Sequence, residues 1–172
     1  MESPNGIISG LQQGKIWIEM STTSKKEVLR LAKKVEEKGV ASSDCPVSGG
    51  CHKAASGNIS IFSGAERKVF NQIKPLLCIM GKKVLHTGEL GTASILKVMT
   101  IYLATANLIT LCEALTTMKG FGLNLATTFE AIKMSSGNSF VHETESQVIL
   151  NGSREIHFTM GLLLQAIEMF QD

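Results

Sequence analysis

The sequence predicts an α/β sheet domain followed by an all-α part, and the two meet near Gly88–Gly91. Two observations predict this class. Strand-like and helix-like segments alternate over residues 15–87, and no strand pattern follows His86. A chain of 172 residues is long enough to bury a sizeable core. We therefore predict a sheet domain at residues 1–88 and an incomplete helical domain at residues 89–172.

The first part is predicted to contain two helices and four strands. The motif Ser24–Glu27 has the S-x-x-E spacing of a capping box, and the helix that it opens ends at Gly39. A second such box, Ser63–Glu66, opens a helix that runs through about Met80. Segments rich in β-forming residues predict strands at Lys15–Met20, Val40–Val47, Asn58–Ser63 and Lys83–His86.

The second part begins with one long helix, Ser94–Lys119, which is apolar on nearly all sides. A helix of this kind is normally buried in a protein core. Its apolar faces, together with a sheet flank that has no partner strand, predict aggregation unless partner chains cover them. The remaining helical patterns lie at Leu125–Met134, Phe140–Leu150 and Phe158–Phe170.

Composition and charge exclude several classes of protein. Seventeen basic residues against fifteen acidic ones give a net charge of +2, which carries no signature of nucleic-acid binding. Four cysteines are too few for a disulfide scaffold. Met1–Gly10 lacks an apolar signal core, and the charge-free run Val98–Cys112 is shorter than a membrane span. We expect no membrane partner and a reducing compartment, the cytoplasm or alternatively the mitochondrial matrix.

Motifs for phosphate and metal binding are weak. Gly120-Phe121-Gly122 has no preceding strand, so it does not form a G-x-G-x-x-G dinucleotide fingerprint. Cys45, Cys51 and His52 are close in sequence without an indicated fourth ligand, so ordinary buried thiols are favoured over zinc and no metal is predicted. Three isolated histidines are predicted to be surface or hydrogen-bonded side chains: His86, His142 and His157.

The turn Ser48-Gly49-Gly50 is the first candidate for chemistry. A Ser-Gly-Gly turn directly after a short strand leaves backbone N–H groups accessible beside a small hydroxyl. Such a nest can hold a carboxylate or a phosphate. On the residues alone, a plain tight turn is the favoured interpretation.

Lys97 is the second candidate, because it lies in the most apolar helix of the chain. A charge there is costly unless it is used or paired. A partly desolvated lysine has a lowered pKa and can act as an acid or base near neutral pH. A lysine that extends from the first turn of the helix into solvent is an equal alternative.

These segments together resemble the β-hydroxyacid dehydrogenases, and the 3-hydroxyisobutyrate dehydrogenase-like branch is nearest; the family also includes 6-phosphogluconate dehydrogenases. Order and spacing match over essentially all 172 residues. Asp44–Gly50 resembles the family's D-x-P-V-S-G-G substrate segment, and Gly88–Lys97 resembles its G-x-x-G-x-G-x-x-x-K segment. Glu19–Thr22 resembles the strand-end D-x-S-T, and Ser135–Gly137 resembles a further substrate-side segment.

The resemblance implies the C-terminal part of a Rossmann-type NAD(P)-binding domain, a long interdomain helix and an incomplete helical domain. It also implies a homo-oligomer and hydride transfer between NAD or NADP and a small 3-hydroxy acid such as 3-hydroxyisobutyrate. In the roles that it implies, Lys97 is the general acid/base. The substrate carboxylate would be held by Ser48, Gly49 and Gly50, and the cofactor would be faced by Ser21 and Thr22.

The chain also departs from the family pattern. The opening βαβ unit, which carries G-x-G-x-x-G and binds the pyrophosphate, has no counterpart in these residues. Ile101 stands where the family has an asparagine one helical turn after Lys97. Gln165 and Ala166 replace a Lys-Asp pair. These losses support the alternative hypothesis, a non-catalytic fragment or pseudoenzyme that acts as a dimerisation or binding module.

Overall fold

The computed structural model describes residues 1–153 and, beyond them, four single positions: Gly161, Leu164, Glu168 and Met169. The chain divides into two compact units. The first unit contains residues 1–99 and 164–172, and the second contains residues 100–163. One long helix contributes to both units. The boundary at residue 88 that the sequence suggested stays a prediction.

Nine elements precede the long helix. The helices are α1 (Ile7–Gly10), α2 (Lys25–Glu36), α3 (Gly50–Ala55) and α4 (Arg67–Met80). The strands are β1 (Ile16–Glu19), β2 (Ala41–Asp44), β3 (Val47–Ser48), β4 (Ser60–Gly64) and β5 (Lys83–Gly88). Then follow the long helix α5 (Thr92–Gly120) and, in the second unit, α6 (Leu125–Met134) and α7 (Phe140–Leu150). The short helices α1 and α3 had no counterpart in the sequence patterns.

The five strands form one mixed sheet. β1 pairs in parallel with β2, and β5 pairs in parallel with β4. β2 and β3 both pair with β4 in the antiparallel direction, and the Phe62 amide donates to the Pro46 carbonyl between them at 3.0 Å. The predicted single strand Val40–Val47 is thus two short strands in one register, because Pro46 has no N–H to donate to a ladder.

The pairing sets four residues in one row across the sheet. Glu19 at the end of β1 lies opposite Asp44 at the end of β2. Asp44 lies opposite Gly64, and Gly64 lies opposite Gly88. The last residues of four strands therefore meet at one level of the sheet, and the chain leaves this level at Gly88 to enter α5.

Two helices cover the sheet through separate apolar clusters. α2 buries Leu31, Ala32 and Val35 against Trp17 of β1. α4 buries Ile73 and Leu77 against Ile61 of β4 and Cys45. Each helix turns toward the sheet one stripe of apolar side chains at helical spacing.

The two predicted capping boxes have different outcomes. The Ser24 hydroxyl accepts from the Glu27 amide at 3.3 Å, so the first box does begin α2. The second prediction is wrong, because Ser63 belongs to β4 and its hydroxyl is buried 3.1 Å from that of Ser43. α4 begins after Glu66 without a side-chain cap. Strand pairing places Ser63 in the sheet, although the local motif assigned it to the start of the helix.

The expected burial of the long apolar helix is largely wrong for this chain. In the most apolar stretch of α5, 17% of residues are buried. Large apolar side chains stay exposed along its length, among them Leu96, Tyr102, Leu103 and Ile109. By length and composition alone, the whole helix is apolar enough to cross a membrane, although its charge-free run is short. Core helices of water-soluble proteins pass the same test, so the observation carries no membrane assignment.

Two of the three isolated histidines, His86 and His142, are hydrogen-bonded, as predicted. The His86 ring Nε2 lies 2.8 Å from the Ala65 carbonyl oxygen. In the second unit, His142 is fully buried between α6 and α7, with Nε2 3.0 Å from the Phe129 carbonyl and Nδ1 2.9 Å from the Ser146 hydroxyl. His157 and the predicted helix Phe158–Phe170 lie outside the continuously described residues.

The core assignment predicts opposite results for two neighbouring leucines of α4. Leu77→Ala removes a side chain that is 0% exposed and should lower the free energy of unfolding by about 2–5 kcal/mol. Leu76→Ala, at a position that is 50% exposed, should change it by less than about 0.5 kcal/mol. Urea unfolding followed by tryptophan fluorescence measures both variants. Equal losses would contradict the packing of α4.

Candidate active site

Asp44 joins the sheet to the start of α5. Its side chain is fully buried at the centre of the row of strand ends. One carboxylate oxygen, Oδ1, accepts from the Gly91 amide at 2.8 Å. The other, Oδ2, accepts from the Ser94 amide at 2.7 Å and from the Ser94 hydroxyl at 2.9 Å. The amides at a helix N-terminus have no partner inside the helix, and the helix dipole favours a negative charge there.

Gly64 leaves the space that the Asp44 carboxylate occupies. A Cβ atom at this position would lie 2.3 Å from Asp44 Oδ1 and 2.8 Å from the Glu89 carbonyl oxygen. The turn from β5 into α5 also needs glycine, because Gly88 and Gly91 have φ angles of 126° and 86°. The absence of side chains at this turn lets the carboxylate reach the helix.

The residues on either side of Asp44 form a buried polar cluster. The Ser43 hydroxyl lies 3.1 Å from both the Cys45 sulfur and the Ser63 hydroxyl. Burial raises the pKa of the Cys45 thiol, so it stays protonated and unsuited to attack or to bind a metal. Cys51 is exposed, so the prediction of buried thiols is correct for Cys45 alone. In the described part of the chain, no three potential metal ligands of the His, Cys, Asp and Glu types come together.

The Ser48–Gly50 segment forms a turn between β3 and α3. Ser48 ends β3 opposite Ser60 of β4. Gly49 and Gly50 have φ angles of 132° and 76°, which side-chain-bearing residues rarely adopt. The aliphatic part of Lys53 lies over Gly49, since a Cβ there would come within 2.8 Å of Lys53 Cδ. Lys53 thus lies beside the candidate carboxylate-binding turn, which the sequence patterns did not indicate.

Ser21 and Thr22 lie just beyond the carboxyl end of β1. The Ser21 amide donates to the Glu19 carboxylate at 2.8 Å. Ser21 is exposed and Thr22 is half-buried. Since β1 and β2 are parallel, both residues leave the sheet at the edge that carries Asp44. In open α/β sheets, ligands bind outside the carboxyl ends of parallel strands.

Lys97 lies in the second turn of α5 and is partly buried. This burial lowers the pKa of its amine below the ordinary lysine value. The desolvated lysine of the sequence-based hypothesis is therefore favoured over one that extends fully into water. Its neighbours along the helix, Ala93, Ser94 and Val98, are buried.

A cavity of about 570 Å³ lies between α2 and α5 in the first unit. It is lined largely by apolar atoms, and its lining contains no candidate residue named above for substrate, cofactor or proton transfer. The lining residues are the N-cap Ser24 and Lys25, Lys26 and Leu29 of α2, Ser94, Ile95, Val98 and Met99 of α5, and Met169. The structure therefore places Lys97 on a different face of α5 from this cavity.

The residues present fit only part of a dinucleotide site. The sequence has no G-x-G-x-x-G loop. The N-terminus of α5, which could otherwise receive a phosphate, is bound by Asp44, and an amide at the start of α2 is bound by the Ser24 hydroxyl. The described residues thus lack the loop on which pyrophosphate binding rests in Rossmann-type domains, and the roles of the other groups toward the nicotinamide and the substrate stay predictions.

Comparison with known proteins agrees with this architecture in both halves of the chain. Residues 1–88 match the model of the NAD binding domain of 6-phosphogluconate dehydrogenase. Residues 91–172 match the model described as NAD-binding of NADP-dependent 3-hydroxyisobutyrate dehydrogenase. The two matches define a Rossmann-type NAD(P)-binding part followed by a helical part. The chain belongs to the β-hydroxyacid dehydrogenase family, whose cofactor is NAD(P).

Individual relatives support the same family. The chain is 35% identical over 163 residues to 2-(hydroxymethyl)glutarate dehydrogenase of Eubacterium barkeri, covering 94% of this chain and 54% of that protein. It is 32% identical over 144 residues to the mitochondrial 3-hydroxyisobutyrate dehydrogenase of Bos taurus, covering 84% and 43%. The chain thus spans about half the length of these curated relatives. A structure described as Psf3 in complex with NADP+ and 2-OPP shares the fold, with a TM-score of 0.91, 24% identity, and coverage of 98% and 60%.

The family, the fold class and the NAD(P) cofactor inferred from the motifs are confirmed. The roles of Ser21, Thr22, Lys97 and the Ser48–Gly50 turn stay predictions. Local motifs do not indicate the contact of Asp44 with Gly91, because the two residues are 47 positions apart and no local spacing relates them. The signal available was an acidic residue at the end of a predicted strand.

The fit of Asp44 beneath Gly64 predicts a strong effect of one added methyl group. Gly64→Ala should lower the free energy of unfolding by about 1–3 kcal/mol or more, because the neighbouring backbone oxygen cannot give way as a flexible side chain could. Gly120→Ala is the control, since a Cβ there meets nothing within 4 Å, and it should be neutral or stabilising by up to about 1 kcal/mol. Thermal unfolding measures both. An unchanged Gly64→Ala variant would contradict the geometry.

Proposed function

We propose that this chain provides the substrate-binding and proton-transfer part of an NAD(P)-dependent dehydrogenase acting on a small 3-hydroxy acid. The observation that carries the proposal is the partly buried Lys97, whose pKa is lowered by that burial, in a chain of a dehydrogenase family. Lowering the pKa enlarges the fraction of neutral amine at a given pH. A neutral amine is the form that can accept a proton from a hydroxyl.

In the proposed reaction, the Lys97 Nζ takes the proton of the substrate hydroxyl during oxidation and returns it during reduction. The bound NAD(P), when present, accepts or supplies the hydride. Ser21 and Thr22, at the carboxyl edge of β1, would contact the nicotinamide side of the cofactor. Lys97 therefore needs its amine close to the hydroxyl-bearing carbon and shielded from water.

The Ser48-Gly49-Gly50 turn would bind the substrate carboxylate. Its two left-handed glycines can turn backbone N–H groups outward, and backbone donors suit an anion. Lys53, whose stem lies over Gly49, would add a positive charge beside the carboxylate. The turn and the lysine together favour an acidic substrate over a neutral alcohol.

The relatives support the substrate class. Their names give 2-(hydroxymethyl)glutarate and 3-hydroxyisobutyrate as substrates, and both compounds carry a hydroxymethyl group on the carbon next to a carboxylate. We infer a 3-hydroxy acid of this type for the protein that contains this chain. We place it in the cytoplasm or the mitochondrial matrix, as a homo-oligomer that covers the exposed apolar faces of α5.

A specific observation also favours the second candidate, a non-catalytic dimerisation or binding module. Ile101 stands one turn after Lys97, where the family has an asparagine. An alkyl side chain can neither orient an amine nor bind a substrate hydroxyl. The exposed apolar surface of α5 would serve such a module as well as it serves an enzyme.

Burial of Lys97 predicts a distinct titration. In the 172-residue chain labelled with 13C-lysine, the ε-carbon resonance of Lys97 should titrate at lower pH than the resonances of the exposed lysines. Lys97→Arg assigns the resonance by its disappearance. The charged amine is disfavoured by desolvation, so the shift must be downward. A Lys97 that titrates together with the exposed lysines would remove the basis for its role as a base at neutral pH.

Activity tests the function itself and separates the two candidates. The chain would be fused to a βαβ unit that carries G-x-G-x-x-G, and reduction of NAD+ and NADP+ would be followed with each of the two 3-hydroxy acids. We expect activity, and a loss of about 10²-fold or more with Lys97→Met.

The variant Ile101→Asn is the matched comparison in the same fusion. Higher activity with asparagine would mean that Ile101 impairs a working site. No activity in either form, with NADH and NADPH binding shown by calorimetry, would favour the non-catalytic module. Calorimetry thus separates a failure of chemistry from a failure to bind the cofactor.

A further inference from the structure

Among the described residues, Asp44 has the one buried carboxylate, and the catalytic roles proposed above do not use it. Its two oxygens accept from three donors, all of them on Gly91 and Ser94. A buried carboxylate is costly without such partners. Hydrogen bonds to a charged acceptor are roughly twice as strong as neutral ones. The attachment of α5 to the sheet therefore depends on this side chain.

Ser94 lies three residues before Lys97 in the same helix. At a rise of about 1.5 Å per residue, the two positions are separated by about one turn along the axis. Asp44 holds both the amide and the hydroxyl of Ser94, so it fixes the rotation of the first turn as well as its height above the sheet. The rotation and height of the next turn, which carries Lys97, are therefore fixed as well.

The sheet fixes Asp44 in turn. Its backbone lies between Glu19 and Gly64 in the row of strand ends, and the missing side chain of Gly64 sets where the carboxylate can lie. The chain of contacts thus runs from paired strands to carboxylate, from carboxylate to helix start, and from helix start to lysine. Each step is short and rigid.

We propose that Asp44 is a positioning residue for Lys97: by binding Gly91 and Ser94 it fixes the first turn of α5 and so sets how deeply the lysine amine is buried. This inference rests on the proposed function of Lys97 as acid/base. Asp44 acts through Ser94 and the helix, and it has no assigned contact with substrate or cofactor.

The experiment uses the 172-residue chain with three variants. Asp44→Asn keeps the shape of the side chain but turns an N–H₂ group toward the donors of one oxygen. Ser94→Ala removes the hydrogen bond from the Ser94 hydroxyl to Asp44 and keeps the one from the backbone amide. Val35→Ala is the matched control for loss of stability, because Val35 is buried and lies ten residues further along α2 than Lys25, whose side chain approaches Gly91.

Two readouts are taken for each protein: amide exchange of Ser94 and the 13C titration of Lys97. Asp44→Asn should speed the exchange of the Ser94 amide by about tenfold or more, and it should move the Lys97 midpoint toward those of exposed lysines. Ser94→Ala should move the midpoint in the same direction by a smaller amount. Val35→Ala should leave the midpoint where it is in the wild type.

The outcomes distinguish this inference from the function on which it rests. Equal midpoints in Asp44→Asn and Val35→Ala would show that Asp44 only stabilises the fold, and would overturn the positioning role. If Asp44→Asn does not fold, an unmoved midpoint in Ser94→Ala overturns it instead. The wild-type midpoint is a separate test, because a value equal to that of exposed lysines defeats the base role of Lys97 itself.

Discussion

The carboxylate of Asp44 is the contact on which the arrangement of the first unit depends. It lies where four strand ends meet and binds the unsatisfied amides at the start of α5. Without this carboxylate, a gap would remain at the strand ends, and the helix would begin with unpaired donors. One side chain therefore satisfies two separate requirements, the end of a strand and the beginning of a helix.

Glycines make this contact possible, each for a different reason. Gly64 gives room, because any Cβ would overlap the carboxylate. Gly88 and Gly91 give backbone angles that other residues rarely adopt. The G-x-x-G spacing between these two residues is visible in the sequence, and the structure supplies its physical reason. The turn is built so that a buried oxygen and a helix start can approach within hydrogen-bonding distance.

Much of the fold could be predicted from local patterns. The Ser24–Glu27 box predicted the start of α2, and segments rich in β-forming residues predicted the strands. The patterns failed where distant pairing decided. Ser63 fits a capping box in sequence, yet pairing of β4 with its neighbours buries it inside the sheet. The short helix α3 follows from the angles of Gly49 and Gly50, which no periodicity encodes.

The candidate site shows the same limit. Motif spacing identified Lys97 as a candidate acid or base and the Ser48–Gly50 turn as a candidate anion-binding site. It could not indicate that Asp44 and Lys53 lie beside them. The contact of Asp44 with Ser94 depends on how the chain folds back on itself. The contact of Lys53 with Gly49 depends on the direction in which the lysine side chain lies. Local sequence therefore predicts the type of group better than its surroundings.

The burial of Lys97 illustrates why surroundings matter more than helix composition. α5 is apolar along nearly its whole length, yet Leu96 and Leu103 are largely exposed. The buried residues of α5 form two groups: Ala93, Ser94 and Val98, where the helix is tied to the sheet, and Leu111 and Leu115 further along. Lys97 lies beside the first of these groups, and its burial there lowers the pKa of its amine. The same lysine placed two or three turns further along the helix would have no such anchored end beside it. The contact at Asp44 and the chemistry proposed at Lys97 therefore depend on the same helix start.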